Sequence, residues 1–136
     1  METYKYITNI RFSDTDKNGH VNNARYFDYF EEARTTWAYE NTNIMEWGEE
    51  SSIHFVIVEQ SCKYIHPLLH PNKIEITQRI LKYSAASIEF SFELRILGSS
   101  KIYTTASVKV ACFNSKKNKL ERIPNDIKQL IIKNND

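Results

Sequence analysis

The sequence predicts an α+β domain in which one long amphipathic helix is covered by an antiparallel sheet. Two patterns carry this expectation. Tyr26, Tyr29, Phe30, Ala33, Trp37 and Ala38 recur at spacings of three and four, the stripe of a helix that buries one face. After that helix come about four consecutive strand-like runs, so the apolar helix face has only a sheet to pack against. With 136 residues the chain makes one domain, residues 1–136, able to bury roughly two thirds of its unfolded surface.

The elements follow in order. Tyr4, Tyr6, Ile10 and Phe12 alternate with Lys5, Asn9 and Arg11, a period near two that suits a half-buried strand, with Ile7 the apolar exception. The helix follows an acidic loop and gives way at 41–52 to a segment with Gly48 and several acids, read as a loop with room for a short helical turn. Val56, Val58, Cys62 and Tyr64 suggest a long strand that ends before His66-Pro67, where proline removes a ladder donor. Ile74, Ile76 and Ile80 mark the next strand. Ile88, Phe90, Phe92, Leu94 and Ile96 alternate without a miss against Glu89, Ser91, Glu93 and Arg95. Gly98-Ser99-Ser100 is a turn, and 102–113 is a last long strand, antiparallel to its predecessor. Pro124-Asn125-Asp126 caps a short terminal helix over 127–132.

Composition excludes several functions. A net charge of +1 with mixed placement of acids and bases gives no field favouring nucleic acid or an anionic membrane. No run reaches the length of a spanning helix, and the N-terminus has no apolar stretch behind a basic start. Cys62 and Cys112 lack metal-ligand or redox spacing and read as reduced thiols of a cytoplasmic protein.

The chemistry concentrates in Asp14-Thr15-Asp16-Lys17-Asn18-Gly19-His20-Val21-Asn22-Asn23. Asp14, Asp16, Asn18 and Gly19 match the first half of a calcium-binding EF-hand loop, with Val21 at its apolar eighth position. Arg25 stands where the bidentate Glu belongs, and a strand precedes the loop where a helix is required, so no metal is expected. The other use of the spacing is a carboxylate, Asp14 or Asp16, facing the start of the helix, with Asn22 or Asn23 as its N-cap. Unpaired N–H groups there favour developing negative charge, and one such donor is worth about 3 kcal/mol of barrier. On spacing alone, the favoured reading is that both acids merely satisfy turn amides.

The run from Asp14 to Tyr26, followed by Tyr29-Phe30-Glu31-Glu32-Ala33-Arg34, resembles the signature of the 4-hydroxybenzoyl-CoA thioesterase family of hot dog fold acyl-CoA thioesterases. Looser agreement continues through Val56-Ile57-Val58-Glu59, Tyr64 and Pro67, and the strand order covers nearly the full chain. The resemblance implies a hot dog fold and hydrolysis of an acyl-CoA or acyl-carrier-protein thioester to an acid and a thiol, with no cofactor. It places the catalytic carboxylate on Asp16 and the polarising backbone N–H on Asn23. Gly19, His20, Val21 and Asn22 then shape the loop and the substrate pocket, Gly19 by close approach and a positive φ. Asp14 becomes support.

Glu31 or Glu32 is the alternative carboxylate, since another hot dog branch uses a helix glutamate, and Glu31 with Arg34 also has the spacing of an ion pair. The family also implies a homodimer or homotetramer whose subunits share the site. The chain departs from many relatives at His70-Pro71-Asn72, where they carry Gly-Asp. A non-catalytic acyl-thioester binding module on the same fold is the competing function.

Overall fold

The computed structural model describes residues 3–135. Its elements are β1 (Tyr4–Asn9), α1 (Tyr26–Asn41), α2 (Ile44–Ser51), β2 (Ile53–Tyr64), β3 (Lys73–Tyr83), β4 (Ser87–Ile96), β5 (Thr104–Asn114), β6 (Lys119–Leu120) and α3 (Asn125–Asn135), with single 3-10 turns at Phe12–Asp14 and Asn23–Arg25. One antiparallel sheet runs β1-β3-β4-β5-β2, and β6 adds to β5. No helix among the described residues is long and apolar enough to cross a membrane.

The strict alternation in β4 sets the inner face. Ile88, Phe90, Phe92 and Leu94 are buried and point toward α1, while Glu89, Ser91, Glu93 and Arg95 lie on the wetter face. Register carries that choice across the sheet: Tyr4, Gln78, Phe92, Ala106 and Cys62 form one row over five strands. The buried stripe of α1, Tyr26, Tyr29, Phe30, Ala33 and Trp37, packs into the curve. Phe30 meets Phe92 with ring centroids 5.1 Å apart, and Trp37 meets Phe90 edge-on at 5.8 Å. Helix-in-sheet geometry of this kind is the hot dog fold.

Three expectations are corrected and one is sharpened. Phe12 does not continue the buried face of β1; it is 76 % exposed, because the chain leaves the sheet after Asn9 and turns at Phe12–Asp14. Val58 does not share a face with Val56: the β2–β5 register shifts between Ile57 and Glu59, a bulge that inserts one residue and leaves Val58 52 % exposed. The short helical turn allowed for at 41–52 is a full two-turn helix, α2, over residues 44–51. The last long strand starts at Thr104, since Ile102 precedes the ladder. A second register shift, between Ile80 and Lys82, bends β3 in the same manner.

Phe30 is fully buried between helix and sheet. Phe30→Ala is expected to cost about 3–5 kcal/mol in urea unfolding. A loss under about 1 kcal/mol would mean that the helix-sheet contact is not the centre of this core.

Candidate active site

The loop between β1 and α1 is folded by its own side chains. Asp16 Oδ1 accepts the N–H groups of Asn18 (2.9 Å) and His20 (3.2 Å), while the Asp16 N–H donates to the His20 carbonyl at 2.7 Å. An aspartate closing a turn onto amides ahead of it is the ordinary use of this side chain. Gly19 holds φ at +79°, the left-handed region that glycine enters without a Cβ penalty. Space around its Cβ position is open, so the sign of φ, not close approach, calls for glycine here. Asp16 Oδ2 takes no donor among the described residues.

The helix start is capped by Asn22, which settles the choice between the two asparagines. Its backbone is extended (φ −62°, ψ 136°), its side chain accepts the Ala24 N–H at 3.0 Å, and its carbonyl accepts the Arg25 N–H at 2.9 Å. That leaves the Asn23 N–H, the first of the helix, with no protein acceptor among the described residues. The 3-10 turn passes straight into α1 through Arg25 and Tyr26, both in helical geometry.

Asp14 is used differently. It is 5 % exposed and receives Arg11 Nε on Oδ2 at 2.8 Å, Arg11 Nη2 on Oδ1 at 3.2 Å and the Tyr29 hydroxyl on Oδ2 at 2.7 Å. Burial pushes its pKa up, but the hydrogen bonds from Arg11 and Tyr29 outweigh it, so the carboxyl sits below the ordinary range. Tyr29 moves the opposite way, to about 12, through burial and then its bond to that carboxylate.

Asp16, His20, Val21 and Asn23 line one cleft of about 360 Å³, closed by Tyr26 and Tyr64 and by the segment Ile65-His66-Pro67. Gly19 and Asn22 do not line it; they set the turn and the helix cap between the residues that do. Glu31 and Glu32 also lie outside it, and Glu31 meets Arg34 at 4.0 Å. Sequence reasoning named Tyr64 in the second strand and in the family resemblance but did not place it in the site; its hydroxyl donates to the Asn23 carbonyl at 2.8 Å and its ring sits edge-on to Tyr26 at 5.0 Å. Its position just before His66-Pro67 was the signal available, since the end of a strand brings a side chain to the rim of a sheet. The connector after β2 is laced to the loop by Val21 N–H to the Leu68 carbonyl (2.8 Å) and His70 N–H to the Gly19 carbonyl (3.3 Å).

A carboxylate oxygen without a donor and an amide without an acceptor, on two residues that line one cleft, are groups that can activate a nucleophile and polarise a carbonyl. The fold class is the hot dog domain, one long helix packed against a curled antiparallel sheet. The profile of the Thioesterase-like superfamily matches residues 10–131, and the chain belongs to that superfamily of thioester hydrolases. It is 26 % identical over 121 residues to the long-chain acyl-CoA thioesterase FadM of Escherichia coli (strain K12), covering 88 % of this chain and 90 % of the relative. It is 27 % identical over 126 residues to the acyl-CoA thioesterase YbgC of Haemophilus influenzae, covering 92 % and 91 %. In fold it is similar to Slr0204, a 1,4-dihydroxy-2-naphthoyl-CoA thioesterase from Synechocystis (TM-score 0.88, 18 % identity, 96 % of each chain).

The Asp14 network generates a pH-dependent prediction. A carboxyl with a depressed folded-state pKa adds stability above its unfolded value, near pH ~4, and loses it as pH falls through the folded value. Asp14→Asn should therefore cost about 1–3 kcal/mol at neutral pH, and its gap to the wild type should narrow on acidification. Urea unfolding across that range tests this, and a gap that stays constant would show that the charge of Asp14 contributes nothing.

Proposed function

We propose that the protein hydrolyses acyl-CoA thioesters at the Asp16–Asn23 cleft. The observation that carries this reading is that a carboxylate anchored by two backbone amides and a helix-start amide with no acceptor line the same cavity. Asn23 N–H receives the thioester oxygen and stabilises the charge that develops on it. Asp16 either takes a proton from water as the water oxygen bonds to the carbonyl carbon, or attacks that carbon itself to give an anhydride that water opens. On either route the C–S bond breaks, the thiol leaves carrying a proton, and a carboxylic acid remains. Asp14 is already spent on Arg11 and Tyr29 and holds the loop. His20 and Val21 contact the substrate, while Gly19 and Asn22 fix the geometry of the loop around it.

The acyl-CoA substrates named for the FadM and YbgC relatives support the substrate class. Within the superfamily we place the chain beside the 4-hydroxybenzoyl-CoA thioesterases, whose motif its Asp14–Tyr26 segment resembles. Two free thiols, Cys62 and Cys112, suit a reducing cytoplasm.

Asp16→Asn keeps size and removes the charge, and should lower kcat for acyl-CoA hydrolysis by about 10²-fold or more with the fold intact. Asn23→Pro removes the N–H together with the side chain, and Asn23→Ala, which removes the side chain alone, is its reference: proline is tolerated at a first helical position, and Asn22 already has the extended backbone that a residue before proline prefers. It should cost about 10²–10³ in kcat. Thiol-release assays over a panel of acyl-CoAs measure both. Full activity in Asp16→Asn would sink its role, and tight acyl-CoA binding without hydrolysis by the wild type would make the protein a binding module instead.

Among the described residues β2 ends the sheet with one edge unpaired and with Ile57 and Val58 exposed, which supports assembly through that edge into a homodimer or homotetramer. Sedimentation equilibrium should return a dimer or a tetramer, and a monomer would overturn the assembly.

A further inference from the structure

A second cavity, of about 470 Å³, opens between the C-terminal half of α1, α2, β2 and the inner face of the sheet. It shares no lining residue with the Asp16 cleft. Its walls are mostly apolar, with Trp37 and Phe90 at the base and Phe55 and Ile127 beside them, and its size falls within the ordinary range for a small-molecule site.

One cation breaks the apolar lining. The Arg34 side chain is only 15 % exposed, and among the described residues its one acid within 4.0 Å is Glu31, at that limit and itself turned 61 % to solvent. No described acceptor lies within hydrogen-bond distance of the guanidinium, whose planar fork carries five donors. Burial accordingly pushes the Arg34 pKa down, with Glu31 opposing. Glu49 lines the cavity too, exposed and without an ion pair among the described residues. A desolvated cation with unspent donors is costly unless an anion completes it. A carboxylate matches the guanidinium fork in geometry and charge, and an apolar tail matches the walls.

We infer that this cavity is a binding site for an amphipathic monocarboxylate, its head on Arg34 and its tail along Trp37 and Phe90. The inference does not depend on the thioesterase reading, since Asp16 takes no part in it.

Decanoate and decanol, which share a chain and differ in charge, test it on the full-length protein carrying labelled isoleucine methyl groups. Decanoate should shift the Ile57, Ile88 and Ile127 methyls of this cavity and leave Ile65 of the other cleft in place. It should bind about tenfold or more tighter than decanol. Arg34→Gln should remove that preference while keeping decanol binding, Arg34→Lys should restore part of it, and Asp16→Asn should leave it untouched. Shifts at Ile65 alone, equal affinity of the wild type for acid and alcohol, or a preference that survives Arg34→Gln would each overturn the site. Because the acid-alcohol comparison is made on the wild type, the outcome stands even if a variant folds poorly.

Discussion

The buried carboxylate of Asp14 is the contact on which the rest of the site depends. It ties the segment that follows β1, held through Arg11, to the first turn of α1, held through Tyr29. A carboxylate taken from water is tolerated when each oxygen is matched, and here a guanidinium and a phenol match both. Removing Arg11 would leave the buried carboxylate without its counter-charge, and removing the Tyr29 hydroxyl would cut its tie to the helix.

With Asp14 turned inward, the chain must leave the sheet early and bend outward. That bend exposes Phe12 and presents Asp16 on the far side of the turn, where Asn18 and His20 hold one of its oxygens. The Asp14 carbonyl also accepts the Asn22 N–H at 2.8 Å, which sets the residue that caps the helix. A structural acid thus positions both halves of the proposed catalytic pair, two and nine residues further on. The same logic divides labour between chemically identical side chains: burial and partners decide which carboxylate serves the fold and which remains available.

Two bulges shape the sheet that receives the helix. Each adds a residue to one strand, raises local twist and lets the sheet curl around Phe30 and Trp37. The bulge in β2 also interrupts the alternation that places Val56 and Val58 on one face. The connector that follows β2 returns across the loop, so Tyr64 and Ile65-His66-Pro67 become walls of the cleft although forty residues separate them from Asn23 in the chain.

Periodicity and turn residues act over a few neighbours, and they were enough to read the helix, the four long strands, their antiparallel pairing and the acidic loop from the chain alone. Its motif also singled out Asp16 and Asn23 together. Spacing could not tell Asp14 from Asp16 or Asn22 from Asn23, since what separates them is contact with Arg11 and Tyr29 in one case and backbone geometry in the other. Nor could it show Tyr64 over the helix start, the full two turns of the second helix at 44–51 or an arginine left without a close acceptor in an apolar cavity. Those are consequences of which distant segments meet, and burial assigns them only once the sheet has closed around the helix.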